Sequence, residues 1–298
     1  LVRMVRSLQP DIIIDNRLEV SGSGFGSIAT DEPLEYSGDY VSPEQIIPQT
    51  GFKDSRGRNI CWEACITMND NWGYCAKDKN FKPAEMIIKK LVECVSKNGN
   101  MLLNVGPDAR GNIPAESVEI LEKIGAWMQK NSDSIYGCGG CDLPKPENGR
   151  ITRNGKTLYY HIMENSIGGI PLQGISLDEV ESIRLISDGT EIKPLKNWIV
   201  ENYPDVVFVQ VSNTVKLPDD IDTATVRQRL LDRPGFLVRA LRGQRVEDVG
   251  HCNDSPKQRN RSNDTYHDVP LNTQPIISAP AFCIRVNSCC MPLSELEC

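Results

Sequence analysis

The sequence predicts an α/β chain in which a mainly parallel sheet with its helices comes first and a small antiparallel β-sandwich follows. Three observations carry this. Ile12-Ile13-Ile14 and Met101–Val105 are apolar runs without alternation, as expected of strands buried on both faces. Amphipathic helical patterns stand between and after them. From about residue 138 the helical patterns stop and short strand-like runs, separated by turn pairs, take over.

Residues 1–9 suit the end of a helix, with Val2, Val5 and Leu8 at helical spacing, and Pro10 breaks it. Ile12–Ile14 reads as a buried strand, with Asp15-Asn16-Arg17 at its C-terminal end. A long loop runs from Gly22 to Asp39, and ordered loops of that length are commonly functional. A second strand is expected over Ile60–Thr67. A helix follows from about Pro83 to Lys97, with Ile87, Ile88, Leu91, Val92 and Val95 on its apolar face and Gly99 to end it. Met101–Val105 is the next strand. A second helix spans about Pro114 to Lys130, with Val118, Leu121, Ile124 and Met128 inward.

Polar residues recur just after these strands: Arg17, the residues beyond Ile66, and Asn104. In a TIM-type barrel that edge carries the chemistry. An open doubly wound sheet fits the same pattern, although no phosphate-binding glycine fingerprint is present. The sandwich strands are expected at Leu158–Ile162, Ser182–Leu185, Glu191–Pro194, Val206–Val211 and Ala224–Val226, with turns at Asn154-Gly155, Asp188-Gly189 and Pro218-Asp219.

A third change of character falls near Arg227. Up to Val226 the chain holds 14 Lys and 9 Arg, and afterwards 1 Lys and 9 Arg, with five of the eleven cysteines. The expected organisation is therefore 1–137 for the α/β part, 138–226 for the sandwich and 227–298 for an irregular tail. That tail is read either as a disordered extension or as sequence foreign to the fold.

A length of 298 residues allows a substantial core, and 39% hydrophobic with 24% charged residues is ordinary for a globular protein. A net charge of −7 with no basic patch in the first 226 residues argues against nucleic acid as a partner. No apolar stretch is long enough to span a bilayer, which argues against a membrane partner. The chain opens Leu1-Val2-Arg3-Met4, almost at once inside ordered-looking sequence, so a longer parent is expected and the compartment stays unassigned. Cys138-Gly-Gly-Cys141 lacks the second pair that a zinc site needs, and reads as a glycine-rich turn between the two parts. Cys61, Cys65 and Cys75 read as packed thiols.

The stretch Ile60–Cys75, ICWEACITMNDNWGYC, concentrates aromatic and polar side chains at the end of one short apolar run. Trp62-Glu63, then Asn69-Asp70-Asn71-Trp72-Gly73-Tyr74, Gly99–Pro107, Gly111-Asn112-Ile113-Pro114, Gly125-Ala126-Trp127 and Ile135-Tyr136-Gly137 follow in order. Together they resemble the α-L-fucosidases of glycoside hydrolase family 29, over about residues 1–226. The resemblance implies a partial (β/α)8-type, TIM-like barrel followed by a small antiparallel β-sandwich. It also implies retaining hydrolysis of terminal α-L-fucosyl linkages, with fucosylated glycans as partners. Two carboxyl groups suffice for that reaction, so no metal and no organic cofactor is implied. The family's nucleophilic aspartate and sugar-gripping histidines belong to strands with no counterpart here. His161, His251 and His267 all lie outside the barrel part, so the chain alone is expected to be inactive.

Carried over residue by residue, the resemblance makes Arg17 a sugar contact, its guanidinium offering fixed donors to hydroxyls. The alternative is a structural arginine bridging loops. Trp72 matches an aromatic that packs on the apolar face of fucose; the alternative is core packing. Glu44 is the candidate acid/base, with Glu63, Glu32 and Glu35 in reserve, and Glu63 is expected to support the sugar site by hydrogen bonding. Ser42-Pro43-Glu44-Gln45 also reads as a capping box, which would make Glu44 an ordinary first-turn acid of a helix. The competing function is a non-catalytic carbohydrate-binding module formed by the sandwich, with Tyr159, Tyr160 and Trp198 as its aromatics. A third reading is a truncated product without activity.

Overall fold

The computed structural model describes residues 1–19, 25–34, 37–164, 168–198, 200–210 and 222–228, and the backbone of 282–286 and 289–291. Its helices are α1 (Val2–Leu8), α2 (Ala84–Val95) and α3 (Ala115–Asn131). Its strands are β1 (Phe52–Lys53), β2 (Asn59–Ile60), β3 (Glu63–Thr67), β4 (Asn100–Val105), β5 (Gly149–Asn154), β6 (Thr157–Ile162), β7 (Ile170–Gln173), β8 (Val180–Leu185), β9 (Val206–Val209), β10 (Asp222–Gln228), β11 (Phe282–Val286) and β12 (Cys289–Met291). The class is α/β, as expected, with a predominance of sheet.

The first part is built on one parallel pair. β3 and β4 run side by side with Glu63 opposite Asn100 and Thr67 opposite Asn104. The ladder extends beyond β3 without regular strands. Residues 41–45 hydrogen-bond to it through Val41 N to Cys61 O, Glu63 N to Val41 O, Cys65 N to Pro43 O and Gln45 N to Cys65 O, all 2.9–3.0 Å. Parallel bridges pair Val41 with Trp62, Glu44 with Cys65 and, one step further out, Asp15 with Tyr40. The expected strand at Ile12–Ile14 is thus reduced to a single bridge. Only Ile14 of the three is buried, and Ile13 is exposed. Ser42 starts no helix, and the capping-box alternative falls. Its segment gives its backbone groups to β3 instead.

Side chains alternate along a strand, so β3 and β4 each present two faces. Ala64 and Ile66, with Met101, Leu103 and Val105, join the core under the helices. There they meet Ile87, Ile88, Leu91, Val92 and Val95 of α2, the expected face, and Leu121, Ile124, Trp127 and Met128 of α3. Val118, expected inward, is exposed: the buried face of α3 runs through Ser117, Leu121, Ile124, Trp127 and Met128, and Val118 stands one residue off it. Glu63, Cys65 and Thr67, with Asn100, Leu102 and Asn104, fall on the opposite face.

The strand expected over Ile60–Thr67 divides into β2 and β3 around Cys61-Trp62. Trp62 is fully buried, and its indole N–H donates to Lys97 O at 3.2 Å. Its ring lies so close to Gly99 that a Cβ there would overlap it. Glycine at 99 is therefore required by close approach as well as by the end of α2. Cys61 is disulfide-bonded, which corrects its reading as a packed thiol.

The second part has one antiparallel sheet in the order β5-β6-β10-β8 and a smaller pair, β7-β9, around a core that includes Tyr160, Ile162, Leu172, Ile183 and Val209. β5 and β7 lie outside the expected strands, and Glu191–Pro194 makes only isolated bridges to Arg184 and Val209. The expected irregular tail carries structure too. β11 adds to the outer edge of β4 in parallel, and β12 pairs antiparallel with β11.

Polar links join the parts at Glu93, at His161 and at Asn98, whose Oδ1 accepts from Gly140 N at 2.8 Å. Glu93 of α2 receives Lys97 at 2.7 Å and Lys90 at 3.0 Å, with Arg150 of β5 at 3.6 Å. Burial opposes its charge, but the two lysines hold its carboxyl down to about 2. His161 of β6 is fully buried beside Trp127. Thr152 Oγ1 gives its hydrogen to Ser134 O at 2.7 Å, so His161 Nε2, 3.0 Å away, donates to Thr152. Nδ1 then accepts from Thr223 Oγ1 at 3.1 Å. Burial pushes the imidazole down to about 3, so it is neutral in the fold and protonates in the unfolded chain near 6.5. The stabilisation is complete above 6.5 and is lost progressively as pH falls towards 3. Denaturant unfolding should therefore show about 2 kcal/mol less stability at pH 5 than at pH 7 from this group alone. The His161→Gln variant should lack that component of the slope.

Candidate active site

Arg17 and Glu44 lie on the flank of the parallel ladder beside β3, Glu63 begins that strand, and Trp72 follows its other end. Asp15 caps a single 3-10 turn, Asn16–Leu18, by accepting from Arg17 N at 3.0 Å, and this aims Arg17 across the neighbouring segment. The Arg17 guanidinium donates through Nε to Ser42 Oγ at 2.9 Å and through Nη2 to Ser42 O at 2.7 Å. Its Nη1 meets Glu44 Oε1 at 2.6 Å, with both side chains 48% exposed. The structure thus brings Arg17 and Glu44 into direct contact. Half-exposed ion pairs contribute little to stability, so the pair positions its members more than it holds the fold together.

Gln45, which the sequence reading passed over, fixes the carboxylate's backbone. Its φ of 55° is left-handed, uncommon outside glycine. The conformation is held by Gln45 N to Cys65 O at 2.9 Å, by Gln45 Nε2 to Thr67 Oγ1 at 2.7 Å and by the return bond from Thr67 N to Gln45 Oε1 at 3.4 Å. Such over-determined backbone is the kind that concentrates at functional sites. The local signal in the sequence is weak, because only the register against β3 creates it.

Thr67 ends β3 and pairs with Asn104 at the end of β4. Asn104 Nδ2 donates to Trp72 O at 2.7 Å, which pins the loop carrying Trp72 to the same strand end. Trp72 is 41% exposed, so the core-packing alternative does not describe it. Lys82 reinforces this end from below. Its ammonium donates to Thr67 O at 2.8 Å and Asn69 O at 2.9 Å, and burial pushes its pKa down. The loop closes on Asp78, whose Oδ2 accepts Asp70 N at 3.0 Å and Asn71 Nδ2 at 2.7 Å.

The remaining expectations fare differently. Glu63 is the first residue of β3, at the far end of the strand from Thr67 and Trp72, on the polar face with Cys65. Glu32 is exposed on the preceding loop, and Glu35 lies outside the described residues. His251 and His267 also lie outside them, and His161 sits in the sandwich core. Cys138 and Cys141 are thiols, and burial pushes both pKa values up, Cys138 to about 12. Among the described residues no three His, Cys, Asp or Glu side chains cluster as metal ligands. None of the described helices is long and apolar enough to cross a membrane.

A cleft of about 310 Å³ opens beside this edge, between the 69–79 and 106–117 loops, lined among others by Asn69, Tyr74, Asp78, Lys79, Asp108 and Glu116. Arg17, Glu44 and Trp72 do not line it.

Comparison with known proteins places these features in context. Residues 1–133 match the family model described as alpha-L-fucosidase. The chain is similar to the alpha-L-fucosidase of Dictyostelium discoideum, 44% identical over 78 residues, 26% of this chain and 17% of that one. It is similar to the plasma alpha-L-fucosidase of Homo sapiens, 32% identical over 116 residues, 38% of this chain and 22% of that one. Among solved structures, alpha-L-fucosidase isoenzyme 1 from Paenibacillus thiaminolyticus superposes with a TM-score of 0.71 at 46% identity, over 76% of this chain and 52% of that chain. A covalent intermediate of a family 29 alpha-L-fucosidase from Bacteroides thetaiotaomicron gives 0.64 at 25% identity, over 76% and 51%. The chain therefore spans about half the length of these solved relatives and about a fifth of the curated ones.

The Asn104–Trp72 bond is the testable joint of this arrangement. Asn104→Ala should cost about 1 kcal/mol in denaturant unfolding. It should also turn the 69–78 loop into the first site of limited proteolysis, read by mass spectrometry of the early fragments.

Proposed function

We propose, for a chain whose residues 1–133 belong to the α-L-fucosidases of glycoside hydrolase family 29, that it forms part of a retaining exo-fucosidase acting on fucosylated glycans. The observation that carries this is the likeness itself, which holds in sequence and in fold, at 46% identity to the Paenibacillus structure. The parallel ladder from Asp15 through residues 40–45, β3 and β4 is the corresponding arc of a (β/α)8 barrel. Residues 1–137 are then barrel, 138–226 sandwich and 227–298 tail.

Retaining hydrolysis needs a nucleophilic carboxylate and an acid/base about 5–5.5 Å apart. Glu44 takes the acid/base role: it protonates the leaving oxygen, then accepts a proton from the attacking water. Its Oε1 contacts Arg17, and an incoming sugar hydroxyl is the natural competitor for that guanidinium. Arg17 keeps its hold on Ser42 and turns its remaining donors to the sugar. Trp72 supplies an apolar face for the sugar methyl group. Glu63 supports the site from the far end of β3, through the polar strand face rather than by touching the sugar. The nucleophile is assigned to the part of the family's barrel that this chain does not span.

The binding-module reading is not favoured. Of the aromatics named for it, Tyr160 is buried in the sandwich core, Tyr159 is half-buried and Trp198 is exposed on a loop, so the three do not share one exposed face.

The test is made in a full-length enzyme carrying residues 1–133 of this chain. Glu44→Ala should lower turnover of a substrate with a poor leaving group by about 100-fold or more. Azide should restore the rate with an activated leaving group and yield the fucosyl azide. Unchanged turnover of the poor substrate would remove Glu44 from the mechanism.

A further inference from the structure

In a closed parallel barrel the edge of every strand is covered by another parallel strand. β4 has two neighbours here, and one of them comes from a place the barrel does not supply. On one side it pairs with β3. On the other, Phe282–Val286 lies parallel to it, with Phe282 opposite Met101, Ile284 opposite Leu103 and Val286 opposite Val105. This strand comes from far along the chain, beyond the whole sandwich, and β12 pairs antiparallel along its outer side.

The hydrogen-bond phase of the ladder follows from the register. Asn100 N donates to Trp62 O, and Met68 N donates to Asn104 O. In a parallel pair a residue directs its N–H and C=O to the same side, and the side alternates along the strand. Asn100, Leu102 and Asn104 therefore face β3, while Met101, Leu103 and Val105 face β11. By the same alternation Arg285 N–H faces Leu103 O, and Ile284 N–H faces β12.

We propose that β11 is a built-in edge strand, occupying the position on β4 that would fall to a strand from the part of the family's barrel this sequence does not span. A long apolar strand edge left open is a template for unwanted pairing. β11, with β12 paired on its outer side, closes it, and a parallel strand that completed the barrel would have to displace β11 first. The inference rests on the partial-barrel reading for what β11 replaces. The pairing itself is independent of any fucosidase activity, so the two can fail separately.

Residue-resolved amide hydrogen exchange on the full chain tests it, with wild type compared to Arg285→Pro, which deletes the N–H aimed at Leu103 O. In wild type the amides of Met101, Leu103 and Val105 should exchange as slowly as those of Leu102 and Asn104. In the variant the first three should speed up by about 100-fold or more, while Leu102 and Asn104, bonded to Ala64 and Ile66, keep their rates. Loss of protection at all five supports the proposal as well, since a proline at 285 reaches β4 only through this pairing. Unprotected Met101, Leu103 and Val105 amides in wild type would overturn it, as would amides that stay slow in the variant.

Discussion

The whole arrangement depends on the parallel pairing of β3 with β4, covered on one face by α2 and α3. Parallel strands occur almost only with both faces covered, and an open strand edge is a template for pairing with another chain. The helix side is satisfied by a dense apolar core centred on Trp62, Leu91, Leu103 and Ile124. The other side carries Glu63, Thr67, Asn100 and Asn104, and it is there that polar chemistry gathers. One edge is closed by residues 41–45, the other by a strand from the tail.

That constraint also explains the candidate site. Residues 42–45 are pulled into register against β3, so Glu44 stands opposite Cys65 and Gln45 must turn left-handed to leave the ladder. Arg17 reaches over from the next segment out and takes both the backbone and the side chain of Ser42 before it meets Glu44. The observed contacts are those of an arginine bridging two segments. They are compatible with a sugar contact, because three N–H groups are engaged and the guanidinium has five.

Legibility in the sequence followed the source of the signal. α2 was readable from Ile87, Ile88, Leu91, Val92 and Val95 because one-sided burial imposes a helical period. β4 was readable because it is buried along nearly its whole length. The 41–45 segment was not, since Pro43 and Glu44 are poor strand formers and only long-range bonds to β3 make them extended. There the local capping signal of Ser42 lost to tertiary pairing. Val118 misled because its spacing to Leu121 fits the helical period, whereas the small polar Ser117 takes the buried place in that turn. β11 was invisible for a simpler reason: its partner lies some 180 residues earlier in the chain. Of the site, Arg17, Glu44 and Trp72 were named through family resemblance, whereas Gln45 and Asn104 emerge only once the strand ends are set side by side.

The central claim is that Arg17, Glu44 and Trp72 converge on one sugar. The direct measurement is a crystal structure with bound fucose of the Paenibacillus enzyme in which residues 1–133 of this chain replace their counterpart. The account predicts the sugar ring in contact with all three side chains, the Arg17–Glu44 pair opened to admit a hydroxyl. A fucose held elsewhere, with that pair still closed and Trp72 out of reach, would contradict it.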